Sequence, residues 1–120
     1  MIRIAAVTEN GLRLSSHFGR APYFRVFSVE DGHIMGEETR PKPYHGEHSH
    51  DEPHVHLHND MFAPIADCQV LLCGGMGLPA YEKAQAAGLE VLLTGGEIQA
   101  AVQAYLDGKI VSDLRRIHQQ

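Results

Sequence analysis

The sequence has little cysteine, no concentration of basic residues and no long apolar run, and each shortage closes off a class of protein. No stretch approaches the ~20 apolar residues that a membrane-spanning helix requires. The opening MIRIAAVTEN lacks the basic region, the apolar region and the cleavage site of a secretory signal. A cytoplasmic location without a membrane partner is therefore expected. A net charge of −5 without a basic cluster argues against nucleic acid as a partner. The two cysteines, Cys68 and Cys73, would lie about 16 Å apart if they share one strand at ~3.3 Å per residue. That exceeds disulfide reach, so both are expected to be free thiols. The 120 residues suffice for one core and are too few for two, so residues 1–120 are expected to form a single domain.

Catalytic signatures are equally scarce. There is no serine elbow, no CxxC pair and no helical HExxH. A nuclease would want carboxylates on its central strands, and residues 2–7 and 69–73 carry none. The expected role is not enzymatic.

What is present organises around VLLCGGMGLPA, residues 70–80. An apolar run, a glycine-punctuated loop and a segment with helical spacing make the strand, loop and helix start of an α/β unit. Such loops bring strand carboxyl ends and helix amides together, where α/β domains hold ligands. Residues 2–8 suit a central strand covered on both faces. Residues 23–30 alternate as a strand with one solvated face, Asp31-Gly32 makes a hairpin turn, and residues 33–40 return. Prolines 41 and 43 end that strand, and residues 45–60 have no core-forming pattern. A short helix around residues 61–66, capped by Asn59 or Asp60, is expected despite Pro64. Then follow a strand over 69–73, a helix over 78–87 stopped by Gly88, a strand over 89–94 and an amphipathic helix over 97–106. The structure of the tail from Gly108 is left open. The pattern predicts an α/β fold with a mixed five-stranded sheet, three N-terminal strands followed by αβαβα, and helices packed on the sheet. Right-handed crossovers then set the fourth and fifth strands parallel to the first. His17, the histidine-rich loop, Cys73 with its glycines, and residues 95–97 are thereby brought to one sheet edge.

Histidine is the compositional anomaly, with nine residues whose full protonation would move the formal charge from −5 to +4. Charge-dependent behaviour should therefore change near about pH 6 to 7. Six of the nine fall in the loop: His45, His48, His50, His54, His56 and His58. Where they recur at every second residue, an extended chain sets them about 6 to 7 Å apart on one side. Neutral imidazoles with Glu47, Asp51 and Glu52 as oxygen donors suit a divalent transition metal such as nickel, zinc, copper or iron. The plainer reading is a solvated insert with incidental metal affinity.

His17 lies in a polar loop beside Phe18 and Gly19, and on residue chemistry alone it reads as a surface histidine whose neighbour packs inward. Cys73 is either a small core residue or, at the mouth of the glycine loop, a stabilised thiolate and soft ligand. Cys68 reads as packing. Met76 could offer its thioether or simply cover the loop, and both readings stay open. Gly75, Gly77 and Ala80 also satisfy a G-x-G-x-x-A pattern with Glu97 downstream. Only one βαβ unit remains after that loop, which makes a dinucleotide site a poor match, although its amides could hold an anion.

At SSHFGRAPYF (15–24), CGGMG (73–77) and AVQAYLDGKI (101–110) the chain resembles the dinitrogenase iron-molybdenum cofactor biosynthesis family, which includes NifX, NafY and the C-terminal domain of NifB. The resemblance covers nearly the whole chain in matching order. It implies a ribonuclease H-like fold without nuclease activity, and a carrier or scaffold role for an iron-sulfur or molybdenum-containing cluster. It implies His17 as the cluster-proximal ligand, with Phe18, Gly19, Cys73, Gly74, Gly75, Met76 and Gly77 forming the adjacent wall. Cluster donor and acceptor proteins would be the partners, and a weak homodimer is a further expectation. The histidine-rich loop looks like an addition to the family core. It supports the alternative of a mononuclear transition-metal buffer or sensor.

Overall fold

A computed structural model describes residues 1–42 and 61–118. A five-stranded sheet runs in the order β3-β2-β1-β4-β6. Its strands are β1 (Ile2–Thr8), β2 (Tyr23–Glu30), β3 (His33–Pro41), β4 (Val70–Cys73) and β6 (Glu90–Leu93). Strand β1 pairs antiparallel with β2 and parallel with β4, and β4 pairs parallel with β6. This is the expected mixed, ribonuclease H-like arrangement. The apolar composition of β1 has its cause in that central position, because successive residues face two different cores. Ala5 and Val7 join the cluster that includes Ala84 of helix α1 (Leu78–Ala86), while Ile4 and Ala6 join the one that includes Ile98, Ala101 and Val102 of α2 (Ile98–Leu106).

The hairpin between β2 and β3 turns at Asp31 and Gly32, both with positive φ (54° and 77°). Positive φ at both positions matches the right-handed twist of the flanking strands, and glycine adopts it without strain. The expectation of one solvated face on β2 needs correction: Phe24 and Val26 enter one cluster, Phe27 and Val29 the other. Each of these clusters covers one face of β2. Beyond it β3 is exposed along nearly its whole length.

Two further departures concern the connections. The helix expected around residues 61–66 is a single 3-10 turn, Ala63–Ile65, with no side-chain cap. Pro64 sits inside it, and a ring that lacks an N–H donor does not support a longer helix. Two α-helices, rather than three, pack on the sheet in the described residues. The tail, in turn, is structured. Residues 114–116 form another 3-10 turn, and β7 (Ile117–His118) pairs parallel with β5 (Met76–Gly77), setting Met76 opposite Ile117 and Gly77 opposite His118. No helix among the described residues is long and apolar enough to cross a membrane.

Candidate functional site

Parallel strands β1, β4 and β6 deliver three loops to one edge, and backbone hydrogen bonds join those loops into a rim. Ser15 N donates to Val7 O at 2.8 Å, Gly74 N to Ser15 O at 2.8 Å, and Phe18 N to Gly75 O at 3.0 Å. On the other side Leu14 N donates to Gly96 O at 2.9 Å and Thr94 N to Cys73 O at 2.9 Å. So close an approach requires glycine in the loop after β4. A Cβ on Gly74 would stand 2.7 Å from the Ser15 carbonyl oxygen, and one on Gly75 would stand 2.6 Å from that of Ser16. The glycine punctuation in the sequence is thus a packing requirement between backbones.

His17 stands exposed at the crest of this rim. Its backbone is held from both sides, since its N–H donates to Ser15 Oγ at 3.0 Å and its carbonyl accepts from Arg20 N at 2.9 Å. Ser15 Oγ in turn donates to Glu9 Oε2 at 2.7 Å. The other residues singled out from the sequence lie below the crest. Phe18 is buried, stacked on Phe62 with ring centres 5.2 Å apart, and the Lys42 ammonium lies 4.3 Å from its ring centre. Met76 is buried in the same core. Gly74 and Gly75 contribute backbone, Gly77 caps α1, and Gly19 is half-buried in the turn after His17.

Of its two readings, Cys73 follows that of a small core residue. It is free and fully buried, its Sγ donates to Gly75 O at 3.0 Å, and burial pushes its thiol up to about 12. Desolvation of a thiolate outweighs the nearby amides and the Lys42 charge, so the expected stabilised thiolate is not what this setting produces. Cys68 is also free, and burial likewise raises it to about 12. Lys42, buried under the rim, is pushed down to about 8 by desolvation. The loop histidines His45, His48, His50, His54, His56 and His58 lie outside the described residues. Among the described residues no three His, Cys, Asp or Glu side chains gather as a metal group.

Two residues absent from the sequence-based site join it through the tail. Arg116 Nη1 donates to Gly74 O at 3.1 Å, and its guanidinium lies 3.2 Å from where a Cβ on Gly95 would be, so it ties the loops after β4 and β6 together. His118 brings its ring to 5.6 Å from that of His17, centre to centre. The available signal was a basic and histidine-bearing DLRRIH segment (113–118) after the last helix, but nothing local pairs it with a loop forty residues earlier.

The rim carries charges of both signs, with Glu9 and Arg13 lining one depression together with His17. Arg13 and Arg20 lie in the loop after β1, and among the described residues neither they nor Arg116 form an ion pair with a carboxylate. The imidazole and guanidinium groups could hold an anionic ligand, whereas the amides of Leu14, Ser15, His17, Phe18, Gly74 and Thr94 already donate within the fold.

The family model described as dinitrogenase iron-molybdenum cofactor matches residues 1–108. No curated protein matches the chain. Among solved structures, the chain is similar to PH0822, with 25% identity, a TM-score of 0.73, and coverage of 96% of this chain and 97% of that one. It is also similar to the apo form of the orange protein from Desulfovibrio gigas, at 29% identity and a TM-score of 0.68 over 94% and 93% of the two chains. A Thermotoga protein described as a candidate NifB protein matches at 24% identity and a TM-score of 0.61, covering 93% of each, and this likeness speaks for the fold alone.

Proposed function

The chain belongs to the dinitrogenase iron-molybdenum cofactor family, and from that premise we propose that it is a non-enzymatic carrier or scaffold for an iron-sulfur or molybdenum-containing cluster. The cluster is its cargo, held at the rim and passed to an acceptor protein. One observation carries this reading: the exposed His17 imidazole stands at the crest of the rim where the loops after β1 and β4 are joined by backbone hydrogen bonds, with Arg116 docked on the Gly74 carbonyl. Sulfur-bridged clusters are anionic, so cationic side chains and amides suit them, and one imidazole can ligate iron directly. Phe18, Gly19, Cys73, Gly74, Gly75, Met76 and Gly77 then serve as wall and support. Cys73 acts by filling space, since its buried, protonated thiol is a poor ligand. An open rim also suits transfer, because an acceptor can reach the cargo without the fold opening.

Anaerobic reconstitution with iron, sulfide and molybdate, followed by desalting, metal analysis and visible absorption, tests the proposal. The parent chain should keep charge-transfer bands and stoichiometric metal. His17→Ala should lose most of both while retaining its circular dichroism. Equal retention by the variant would remove His17 from the site.

The recurrence of histidine across residues 45–58 favours a second reading, a mononuclear buffer or sensor for nickel, zinc, copper or iron. Binding there should disappear below about pH 6 as the imidazoles protonate. Replacing the six loop histidines with glutamine separates the readings, because a carrier keeps its cluster and a buffer loses its metal.

A further inference from the structure

Residues 109–118 lie beyond the region that the family model matches, yet they are built into the rim. Leu93 N donates to Ser112 Oγ and Asp113 N donates to Leu93 O, both at 2.9 Å, which lays the tail against the end of β6. The Asp113 carboxylate accepts from Arg115 N at 3.0 Å and caps the turn that ends at Arg116. Pairing of β7 with β5 then fixes the tail against Met76 and Gly77. Two rim glycines are shaped to it. A Cβ on Gly95 would stand 3.2 Å from the Arg116 guanidinium, and one on Gly75 would stand 3.3 Å from the Arg116 carbonyl oxygen.

From Arg116 a chain of hydrogen bonds leads to both sides of His17. Arg116 Nη1 donates to Gly74 O at 3.1 Å. Gly74 N donates to Ser15 O at 2.8 Å, and Gly75 O accepts from Phe18 N at 3.0 Å. Ser15 Oγ in turn accepts from His17 N at 3.0 Å. Residues 74 and 75 thus hold residues 15 and 18, which bracket His17, while Arg116 holds residue 74. There is little slack in this chain, because Gly74 meets the Ser15 carbonyl, and Gly75 that of Ser16, too closely for a Cβ. A guanidinium presents its donors in a rigid fork. Seated against Gly95 with one donor on Gly74 O, the Arg116 fork is placed by two loops at once.

We propose that Arg116 is a positioning residue for the cargo ligand: by holding the glycine segment 74–75 it fixes the backbone of His17 in the arrangement that presents the imidazole to cargo. The cargo half of this inference rests on the carrier reading, whereas the positioning half rests on the hydrogen bonds alone. Groups behind a metal ligand orient it, and their loss costs about 10- to 100-fold in affinity. Here the orienting group comes from outside the matched region, so cargo retention is tied to the docking of the tail.

The test compares the full-length parent, Arg116→Ala and Arg116→Lys. Amide hydrogen exchange on the metal-free chains reads the positioning directly. The Phe18 and Gly74 amides should exchange about tenfold faster or more in Arg116→Ala, while those of the β2–β3 hairpin match the parent. After anaerobic reconstitution with iron, sulfide and molybdate, Arg116→Ala should release its metal on dialysis about tenfold faster or more than the parent. Arg116→Lys keeps a donor for the Gly74 carbonyl and should recover most of both losses. Parent-like exchange at Phe18 and Gly74 in Arg116→Ala, equal acceleration throughout the hairpin, parent-like release, or an Arg116→Lys chain no better than Arg116→Ala overturns the inference. A parent that retains no metal overturns the carrier reading instead, and faster exchange confined to Phe18 and Gly74 then still upholds the positioning of His17 by Arg116.

Discussion

The hairpin surface pairs its arginines with carboxylates, whereas among the described residues Arg13, Arg20 and Arg116 at the rim form no such pair. On the hairpin side Arg25 meets Glu37, Arg40 meets Glu38 at 2.5 Å and Asp67 at 2.7 Å, and Arg3 reaches Asp67 at 3.7 Å. Arg40 Nη1 also donates to the Pro64 carbonyl at 2.8 Å, so this network pins the 3-10 turn to the sheet. At the rim Arg13, Arg20 and Arg116 belong to loops sewn together by backbone hydrogen bonds. The hairpin's charges satisfy one another and serve the fold, at a worth of about 0 to 1 kcal/mol per exposed pair. The rim obtains its rigidity from close-packed glycine backbones and leaves those three guanidinium groups outside ion pairs among the described residues.

The sharpest way to break this contrast is to place the same kind of substitution in both regions. Gly75→Ala should destabilise by about 3 kcal/mol or more, because its Cβ would meet the Ser16 carbonyl at 2.6 Å and neither backbone has room to give. Gly36→Ala on β3 meets nothing within 4 Å and should be nearly neutral. Urea unfolding of both variants compares them directly, and similar losses would show that the rim is no more tightly built than the hairpin.

Lys42 gives a pH-dependent version of the comparison. Its folded-state value is depressed by burial from 10.5 to about 8, so the folded protein binds fewer protons than the unfolded chain between those values. Its contribution therefore favours folding above about pH 10.5, falls away as pH drops, and is lost below about pH 8. The stability of the parent relative to Lys42→Met should rise as pH goes from about 8 to about 10.5, as the ammonium that faces the Phe18 ring loses its proton. Differencing the two chains removes the opposite trend from Cys68 and most of that from Cys73, whose thiol also feels the Lys42 charge. Their values, raised from 9.0 to about 12, give stability that is present below pH 9 and lost towards pH 12. A constant difference between the chains across that range would contradict the burial argument.

On the hairpin side the smallest effect is expected. The Arg40 guanidinium beside Asp67 holds that carboxyl down at about 2 from an ordinary 3.8, so its contribution is present above pH 3.8 and lost as pH falls towards 2. Asp67→Asn should cost about 1 kcal/mol or less at neutral pH and flatten the loss between pH 4 and pH 2 in urea midpoints. A larger cost would mean that the paired surface carries stability assigned here to the core.

The strand order and the meeting of His17 with the glycine loop were legible because they follow from local patterns: an apolar central run, an Asp-Gly hairpin and two strand-loop-helix units, joined by the handedness of crossovers. Side-chain burial at the site was not legible. Cys73 and Met76 end an apolar run and begin a glycine loop, and sequence alone does not say whether such residues face core or solvent. The structure turns both into the α1-side core. The β5–β7 pairing escaped because it joins two two-residue strands separated by some forty residues, too short for periodicity to register. That pairing is what brings His118 and Arg116 to the rim.

The central claim is that the rim, and not the charged hairpin, holds an anionic metal cluster. It is tested most directly by reconstituting three chains side by side, the parent, His17→Ala and the hairpin control Arg40→Gln, and measuring iron and molybdenum retained after desalting. The account expects the parent and Arg40→Gln to retain equal amounts and His17→Ala to retain little. Retention by His17→Ala equal to the parent, or a parent that retains nothing, would contradict it.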